Sequence, residues 1–201
     1  MSRYRGPRLR ISRRLGELPG LTRKQTTKTT PAGEHGQNLR KPSEYALRLE
    51  EKQKLRYHYG ISEKQLLKNV KVAKKMQGST GIILLQMLEM RLDNTLFRFG
   101  IAPTIPAARQ LINHKHILVN NKILSISSYQ CKPGDVVKIK DKESSSNIIK
   151  TYINSSSVIS LPNHLEFNKD TLIGKINGII ERDYVGISLN ELLVVEYYSR
   201  K

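Results

Sequence analysis

The strongest constraint on the fold is a change of hydrophobic period after residue 113. Thr104 is a typical helix N-cap and Pro106 suits a first helical turn, so the sequence predicts a helix that runs to about Asn113. The segments HILVN and KILSI then flank Asn120-Asn121. Asparagine tolerates positive φ, so this pair can close a tight β-hairpin.

A second turn follows at once. The motif KPGD at 132–135 precedes VVKIK at 136–140, which has the pattern of a strand. Short apolar pieces near 165–167 and 172–180 are candidates for further strands, whereas 141–157 is a polar, low-complexity insert. A helix followed by short strands and tight turns predicts an α+β domain with a small antiparallel sheet.

Outside these segments, the sequence pattern mainly predicts helices. Three segments before residue 90 carry helical spacing and end signals: a helix capped by Ser43 that stops near Gly60, one from the capping box Ser62–Gln65 to about Gln77, and one over 82–90. Two more are predicted further on: a short helix over 94–99 capped by Asp93, and a C-terminal one that begins with the capping box Ser188–Glu191.

Positive charge is concentrated in the first three quarters of the chain. The sequence has 35 Lys and Arg against 17 Asp and Glu, a net charge of +18. Net charge falls from +8 in residues 1–50 to +6 in 51–100, +5 in 101–150 and −1 in 151–201. Such asymmetry indicates one extended face for a polyanion, with nucleic acid favoured over an anionic membrane surface.

The N-terminal segment is the most basic part. Residues 1–28 hold nine cations and one acid, and residues 22–38 read as a polar loop. We expect this arm to be poorly ordered alone and to become ordered on a nucleic-acid partner.

Several functional classes are excluded by composition. The single cysteine, Cys131, excludes an internal disulfide and any zinc site that needs two or four cysteines. The sequence has no P-loop, no His-Glu-x-x-His motif and no nucleophile elbow. The apolar run over 81–90 is too short to cross a bilayer, and the N-terminus lacks the apolar core of a signal peptide. We expect no metal, no cofactor and no catalytic activity.

The affirmative signal is a set of cations within residues 91–140. Arg91, Arg98 and Arg109 lie on or beside two short helices, and Asp93 is the only carboxylate in 90–134. We interpret Asp93 as a helix cap or an arginine partner. Because aromatic residues are only 6% of the chain, contact with the RNA backbone is expected rather than base stacking.

The run MRLDNTLFRFGIAPTIPAARQLINHKHILVNNKILSISSYQCKPGDVVKI strongly resembles the RNA-binding module named after small-subunit ribosomal protein four. The likeness extends to MSRYRGPRLRISRRLGELPGL, RLEEKQKLRYHYGISEKQLLK, GSTG and NELLVVEYYSR, so it covers nearly the whole chain. The opening segment, LRYHYGISEKQLL and LPNHL are most similar to the plastid form of that ribosomal family.

The resemblance implies a domain organisation and a set of partners. It implies a basic arm and loop over 1–42, a helical domain over 43–90 rejoined by 186–201, and an α+β domain over 91–185 with a variable insert at 141–160. The partners would be small-subunit ribosomal RNA at a helix junction early in assembly, small-subunit protein five, and messenger RNA where it enters the subunit. The location would be the plastid stroma, with the bacterial cytoplasm as the alternative.

The resemblance also implies RNA contacts. They are Arg91, Asn94, Arg98, Arg109, Gln110, Lys115, His116, Asn120 and Lys122 in the module and Arg3, Tyr4, Arg5, Arg8, Arg10, Arg13 and Arg14 in the arm. We also predict RNA contacts by the further polar and basic residues His114, Asn121, Arg40, Lys41, Lys52 and Arg56.

Other classes of protein remain to be weighed against this one. The same module occurs in RNA-modifying and tRNA-charging enzymes, but residues 1–90 are too basic and too poor in clustered carboxylates to be a catalytic domain. A free RNA-binding regulator fits the long arm less well than a large RNA assembly does. The family usually has glycine where Asn121 stands, which makes the hairpin turn costlier here.

Overall fold

The computed structural model describes residues 4–28, 30–37, 41–155 and 161–199. The chain divides into two compact units, residues 1–85 with 186–201 and residues 86–185. The helices are α1 Arg8–Leu15, α2 Glu44–His58, α3 Glu63–Ala73, α4 Thr80–Glu89, α5 Leu92–Arg98, α6 Ile105–Asn113, α7 Glu143–Ser155 and α8 Glu191–Ser199. The strands are β1 Ile117–Val119, β2 Lys122–Ile123, β3 Val136–Ile139, β4 Leu165–Asn168 and β5 Ile173–Ile176. Short 3₁₀ turns lie at Glu34–Gln37 and Arg182–Tyr184.

The helix starts of the first unit follow local capping chemistry. Ser43 Oγ accepts a hydrogen bond from the N–H of Ala46 at 3.2 Å. Ser62 Oγ accepts from the N–H of Gln65 at 3.3 Å, and Gln65 Oε1 accepts from the N–H of Ser62 at 3.4 Å. Both predicted caps are confirmed, although α3 ends four residues earlier than predicted.

The N-terminal arm contains a packed helix that the sequence did not predict, and ordering of the arm on RNA stays a prediction. Helix α1 buries Ile11 and Leu15, and the chain after it buries Leu18 and Leu21. These apolar side chains recur at three- and four-residue intervals among the arginines, and their burial stabilises the helix. In the sequence the many arginines of this segment hide the helical spacing of its few apolar residues.

The C-terminal helix packs against α2. Arg48 Nε of α2 donates to Glu196 Oε2 of α8 at 2.7 Å, and the N–H of Asn190 donates to Glu51 Oε2 at 2.8 Å. The predicted C-terminal helix is confirmed, but the side-chain bond at its start comes from Asn190 Oδ1, which accepts from the N–H of Leu192 at 3.1 Å.

The second unit is built on one five-stranded antiparallel sheet in the order β2-β1-β3-β5-β4. Val119 pairs with Lys122 across the first hairpin, and Asn120 and Asn121 form its two-residue turn with φ of 50° and 63°. Positive φ at both turn residues is the hairpin geometry whose twist matches that of the strands. The predicted α+β class, small sheet and Asn-Asn hairpin are therefore confirmed.

Helix α7 replaces the polar insert expected at 141–157. Its Ile149 is fully buried, and Tyr152 and Ile153 pack against the same apolar core. The spacing from 149 to 152 and 153 is that of one helix face, which the surrounding serines obscure in the sequence. The short helix after residue 90 also differs, since α5 starts at Leu92 with Arg91 as its N-cap.

The core of the second unit includes Cys131, which is buried against the side chain of Thr95. Burial raises the pKa of its thiol to about 12. No helix in the described parts of the chain has the length and apolarity to cross a bilayer. Over the same residues, no group of three or more His, Cys, Asp or Glu side chains could hold a metal ion.

Candidate nucleic-acid interface

The three arginines expected to contact RNA in the module are buried. Arg91, Arg98 and Arg109 are 5%, 7% and 8% exposed, and the carboxylates between them, Asp93 and Glu89, are 1% and 2% exposed. Charged side chains are found this far from water only when they are paired and hydrogen-bonded.

Asp93 ties together the start of α5 and the middle of α6. Arg91 donates to it with both Nε and Nη2, at 3.0 and 2.9 Å, and Arg109 approaches Oδ2 at 2.7 Å. The N–H of Asn94 also donates to Oδ1 at 3.0 Å. The interpretation of Asp93 as an arginine partner is thus confirmed, and its role is to hold two helices in fixed register.

Glu89, at the end of α4, forms a second centre of the same kind. Arg98 donates to it with Nε at 2.9 Å and Nη2 at 2.8 Å, a two-pronged pair. Asn94 Nδ2 donates to the side chain of Glu89 at 2.6 Å and to its carbonyl at 3.0 Å. The sequence did not single out Glu89, because it lies just before the cation-rich stretch and its pairing with Arg98 depends on how the helices pack.

Five of the residues predicted to contact RNA are buried within the protein. Arg91, Asn94, Arg98 and Arg109 are committed to this buried network, so they are scaffold rather than surface. Lys52 is also buried, with Nζ 3.0 Å from Glu63 Oε2. Removing one partner of a buried arginine–carboxylate pair leaves an uncompensated charge, which strongly destabilises the fold.

What remains exposed is a patch at the end of α6 and on the β1–β2 hairpin. We call the exposed residues Gln110, His114, Lys115, Asn121 and Lys122 the hairpin face. Of the four non-glycine residues with positive φ in the described chain, three lie here or at its edge: Lys115, Asn120 and Asn121. Such backbone conformations are retained where the structure around them requires them, often at functional sites.

Lys115 occupies a position that usually belongs to glycine. Helix α6 ends in a Schellman motif, in which the N–H of Lys115 bonds to the carbonyl of Ile112 at 2.9 Å and the N–H of His116 to that of Leu111 at 3.1 Å. The residue in the left-handed conformation is Lys115, with φ of 61°.

Helix α2 ends with the same two bonds, and there the left-handed residue is Gly60, with φ of 58°. The same left-handed position at a helix end is thus occupied by glycine in α2 and by lysine in α6. At α6 the chain accepts the strain of a side chain and presents an ammonium group to solvent.

Two neighbours of the hairpin face are held by the protein instead. His116 is half-buried, and its Nδ1 lies 2.9 Å from Ser145 Oγ. Burial, reinforced by the charges of His114, Lys142 and Lys140, lowers its pKa, so His116 is neutral at pH 7 and adds no cation.

The side chain of Asn120 stabilises the turn. Its Nδ2 donates to Asp135 Oδ1 at 2.8 Å, and its Oδ1 accepts from the N–H of Val136 at 3.0 Å. Both ends of the amide therefore hold the hairpin against β3. RNA contact by His116 and Asn120 stays a prediction, and in the protein both side chains are also held by these internal bonds.

The arm presents a second basic surface. Arg5, Arg8, Arg10 and Arg14 are exposed, although Arg8 also donates to the carbonyl of Leu21 at 3.2 Å. Arg13 is half-buried and donates to the carbonyls of Thr30 and Pro31 at 2.9 and 3.2 Å, so its first role is to fasten the arm.

The remaining predicted residues of the first unit are distributed differently. Tyr4 is exposed and packs edge-on against the ring of Tyr57, 5.4 Å away. Arg56 is half-buried, with its guanidinium carbon 5.3 Å from the centre of the Tyr57 ring, and Lys41 is exposed. Arg3 and Arg40 lie outside the described residues.

Comparison with known proteins shows similarity to one ribosomal protein family over the whole chain. A family model described as ribosomal protein S4/S9 N-terminal domain matches residues 3–89, and one described as S4 domain matches residues 90–137. The chain is 67% identical to small ribosomal subunit protein uS4c of Gracilaria tenuistipitata var. liui and of Porphyra purpurea. It is 62% identical to small ribosomal subunit protein uS4 of Trichodesmium erythraeum. Each match covers all 201 residues and the whole of the relative.

Proposed function

The chain belongs to the uS4 family of small ribosomal subunit proteins, and from this premise we propose that it binds small-subunit ribosomal RNA through the hairpin face. Its relatives are named as ribosomal proteins rather than enzymes, and the chain is a structural protein of the same kind. We place it in the plastid ribosome, because three relatives at 65–67% identity carry the plastid name uS4c.

One observation carries the RNA-binding proposal. Lys115 is presented in a strained left-handed conformation on a helix end that the buried Arg109–Asp93 pair fixes in place. Lys122 and Asn121 extend the same surface through the adjacent hairpin. A rigid set of exposed cations and amides suits contacts with phosphates and 2′-hydroxyls, and it avoids the entropic cost of ordering a flexible loop.

The ribosomal context adds finer proposals. Following the family resemblance, the protein would join the RNA early in assembly, at a junction of several RNA helices. It would lie beside small-subunit protein five and help to form the channel through which messenger RNA enters. The exposed arginines of the arm support a role within a large RNA assembly, because each phosphate that they neutralise strengthens binding.

The test is to neutralise the hairpin face without disturbing the scaffold. The double variant Lys115→Gln, Lys122→Gln is expected to bind small-subunit RNA more weakly, with the salt slope of log K lowered by about 1.4–1.8 for two lost phosphate contacts. The control, Lys150→Gln with Lys169→Gln, removes two exposed lysines elsewhere in the same unit. Equal slopes for the two double variants would refute the hairpin face as the RNA contact. Crosslinking of the assembled subunit would test the placement beside protein five.

A further inference from the structure

A further cationic surface, besides the hairpin face and the arm, runs along helix α3 in the first unit. Lys64, Lys68, Lys71 and Lys75 follow one another at intervals of four, three and four residues. With 3.6 residues per turn these positions fall within about 60° around the helix axis, and they span about 16 Å along it. All four are exposed; the first three lie on α3 and Lys75 lies in the turn that continues it. We call these four residues the lysine stripe.

No carboxylate neutralises this surface locally. Residues 64–88 contain no Asp or Glu. The acid at the start of α3, Glu63, is engaged by Lys52 at 3.0 Å and by the hydroxyl of Tyr198 at 2.7 Å. Within the described residues, none of the four lysines makes an ion pair or a hydrogen bond.

The stripe has a cost to the fold that packing does not explain. Like charges three and four residues apart repel each other along a helix. The buried side of α3 is formed by Leu66, Val70 and Ala73, so the stripe contributes nothing to the core. A row of unneutralised lysines that opposes helix formation indicates a polyanionic ligand.

The geometry of the stripe favours a nucleic-acid backbone. Neighbouring lysines stand about 5–6 Å apart at their Cβ atoms, comparable to the separation of successive phosphates along one strand. Exposed apolar residues flank the stripe, Leu67 on one side and Val72 and Met76 on the other, but its centre is lysine alone. Protein interfaces show the opposite composition, an apolar centre that is depleted in lysine.

We propose that the lysine stripe is a further contact surface for the sugar–phosphate backbone of small-subunit ribosomal RNA. This inference rests on the proposed function, because it takes ribosomal RNA as the partner. It adds a binding surface on a helix that the family-derived contacts do not include. Recognition here is electrostatic and independent of base sequence, since each lysine acts as a compact point charge.

The experiment measures how affinity for small-subunit RNA depends on salt, using the full chain. The test variant replaces Lys64, Lys68, Lys71 and Lys75 with Gln, which is also a good helix former. The control variant removes the same amount of charge from exposed lysines of the other unit, namely Lys142, Lys150, Lys169 and Lys175. A third variant carries Arg at the four stripe positions and keeps the charge. Circular dichroism confirms that each variant is folded.

The stripe variant is expected to lower the salt slope of log K by about 3, from roughly 0.7–0.9 for each lost phosphate contact. The control variant should change the slope by much less, and the arginine variant should keep the wild-type slope. A stripe variant with the control's slope would overturn the proposal, and so would one that binds RNA normally but fails to join the assembled subunit. The latter result would mean that the stripe docks an acidic protein.

The same experiment separates this inference from the proposed function. If wild-type protein fails to bind small-subunit RNA at all, the proposed function fails. If wild-type protein binds, the hairpin-face variant weakens and the stripe variant does not, only the stripe proposal fails.

Discussion

Replacing Lys115 by glycine should stabilise the protein and weaken its binding to RNA at the same time. A side chain in the left-handed region costs about 1–2 kcal/mol, and Lys115 has φ of 61°. Glycine removes that strain but gives the unfolded chain more freedom, which returns about 0.4–1 kcal/mol. The net expectation is a gain of about 0.5–1 kcal/mol in the free energy of unfolding.

The loss of the Lys115 ammonium group should lower the affinity for RNA and leave the stability of the protein unchanged. One charge-assisted contact is worth about 1.5–3 kcal/mol of affinity, and its removal should lower the salt slope by about 0.7–0.9. Urea denaturation measures the first effect and RNA titration at several salt concentrations measures the second. Opposite signs in the two assays are the result expected only if the strain is maintained for binding.

Two matched variants make this result interpretable. Gly60→Lys places the same side chain at φ of 58° in the equivalent turn of α2, so it should destabilise by about 0.5–1 kcal/mol. Lys115→Asn removes the charge but keeps a residue that tolerates the left-handed region, so it should lose affinity with little change in stability. If Lys115→Gly were less stable than wild type, or bound RNA equally well, the reasoning about this helix end would be wrong.

Three further predictions concern the scaffold. Arg98→Ala leaves Glu89 buried without the arginine that donates two hydrogen bonds to it, so it should lower the free energy of unfolding by about 3–5 kcal/mol in urea titrations. Near-wild-type stability together with lost RNA affinity would instead indicate that Arg98 contacts RNA. Ser62→Ala removes the capping box of α3 and should cost about 0.5–2 kcal/mol in the same assay. The lowered pKa of His116 means that the unfolded chain binds the proton more readily, so stability should fall as pH drops from about 6.5 toward the folded pKa. Thermal unfolding between pH 7 and 5 checks this, and His116→Asn should flatten the pH profile.

The elements set by local chemistry were predictable from sequence. The caps at Ser43, Ser62 and Thr104 and the Asn120-Asn121 hairpin depend on residues within three or four positions of each other. Their hydrogen bonds are local, so the sequence predicts them well, although the Ser188–Glu191 box at the start of α8 shows that a capping pattern does not always form the cap.

The burial of the module's arginines was not predictable in the same way. Residues 90–134 contain a single carboxylate, Asp93, so counting charges along the sequence predicts that the cations there bind an external partner. In the folded chain that carboxylate serves both Arg91 and Arg109, and Glu89, just outside the stretch, serves Arg98. Pairing across sixteen residues depends on how two helices pack, which charge counting along the chain does not capture.

Two helices were missed because composition hid periodicity. Serine-rich sequence concealed the buried face of α7, and arginine-rich sequence concealed that of α1. In both cases a few apolar residues at helical spacing outweigh many polar neighbours, since burial of each large side chain contributes about 1.5–3 kcal/mol.

The buried thiol of Cys131 gives this protein an internal reporter. With one sulfhydryl in the chain and a pKa of about 12, almost no thiolate exists at neutral pH in the native state. Alkylating reagents should therefore modify the chain only when the core of the second unit opens. The rate of labelling would then follow that opening directly, without any engineered probe. RNA bound to the same unit should lower the rate of labelling.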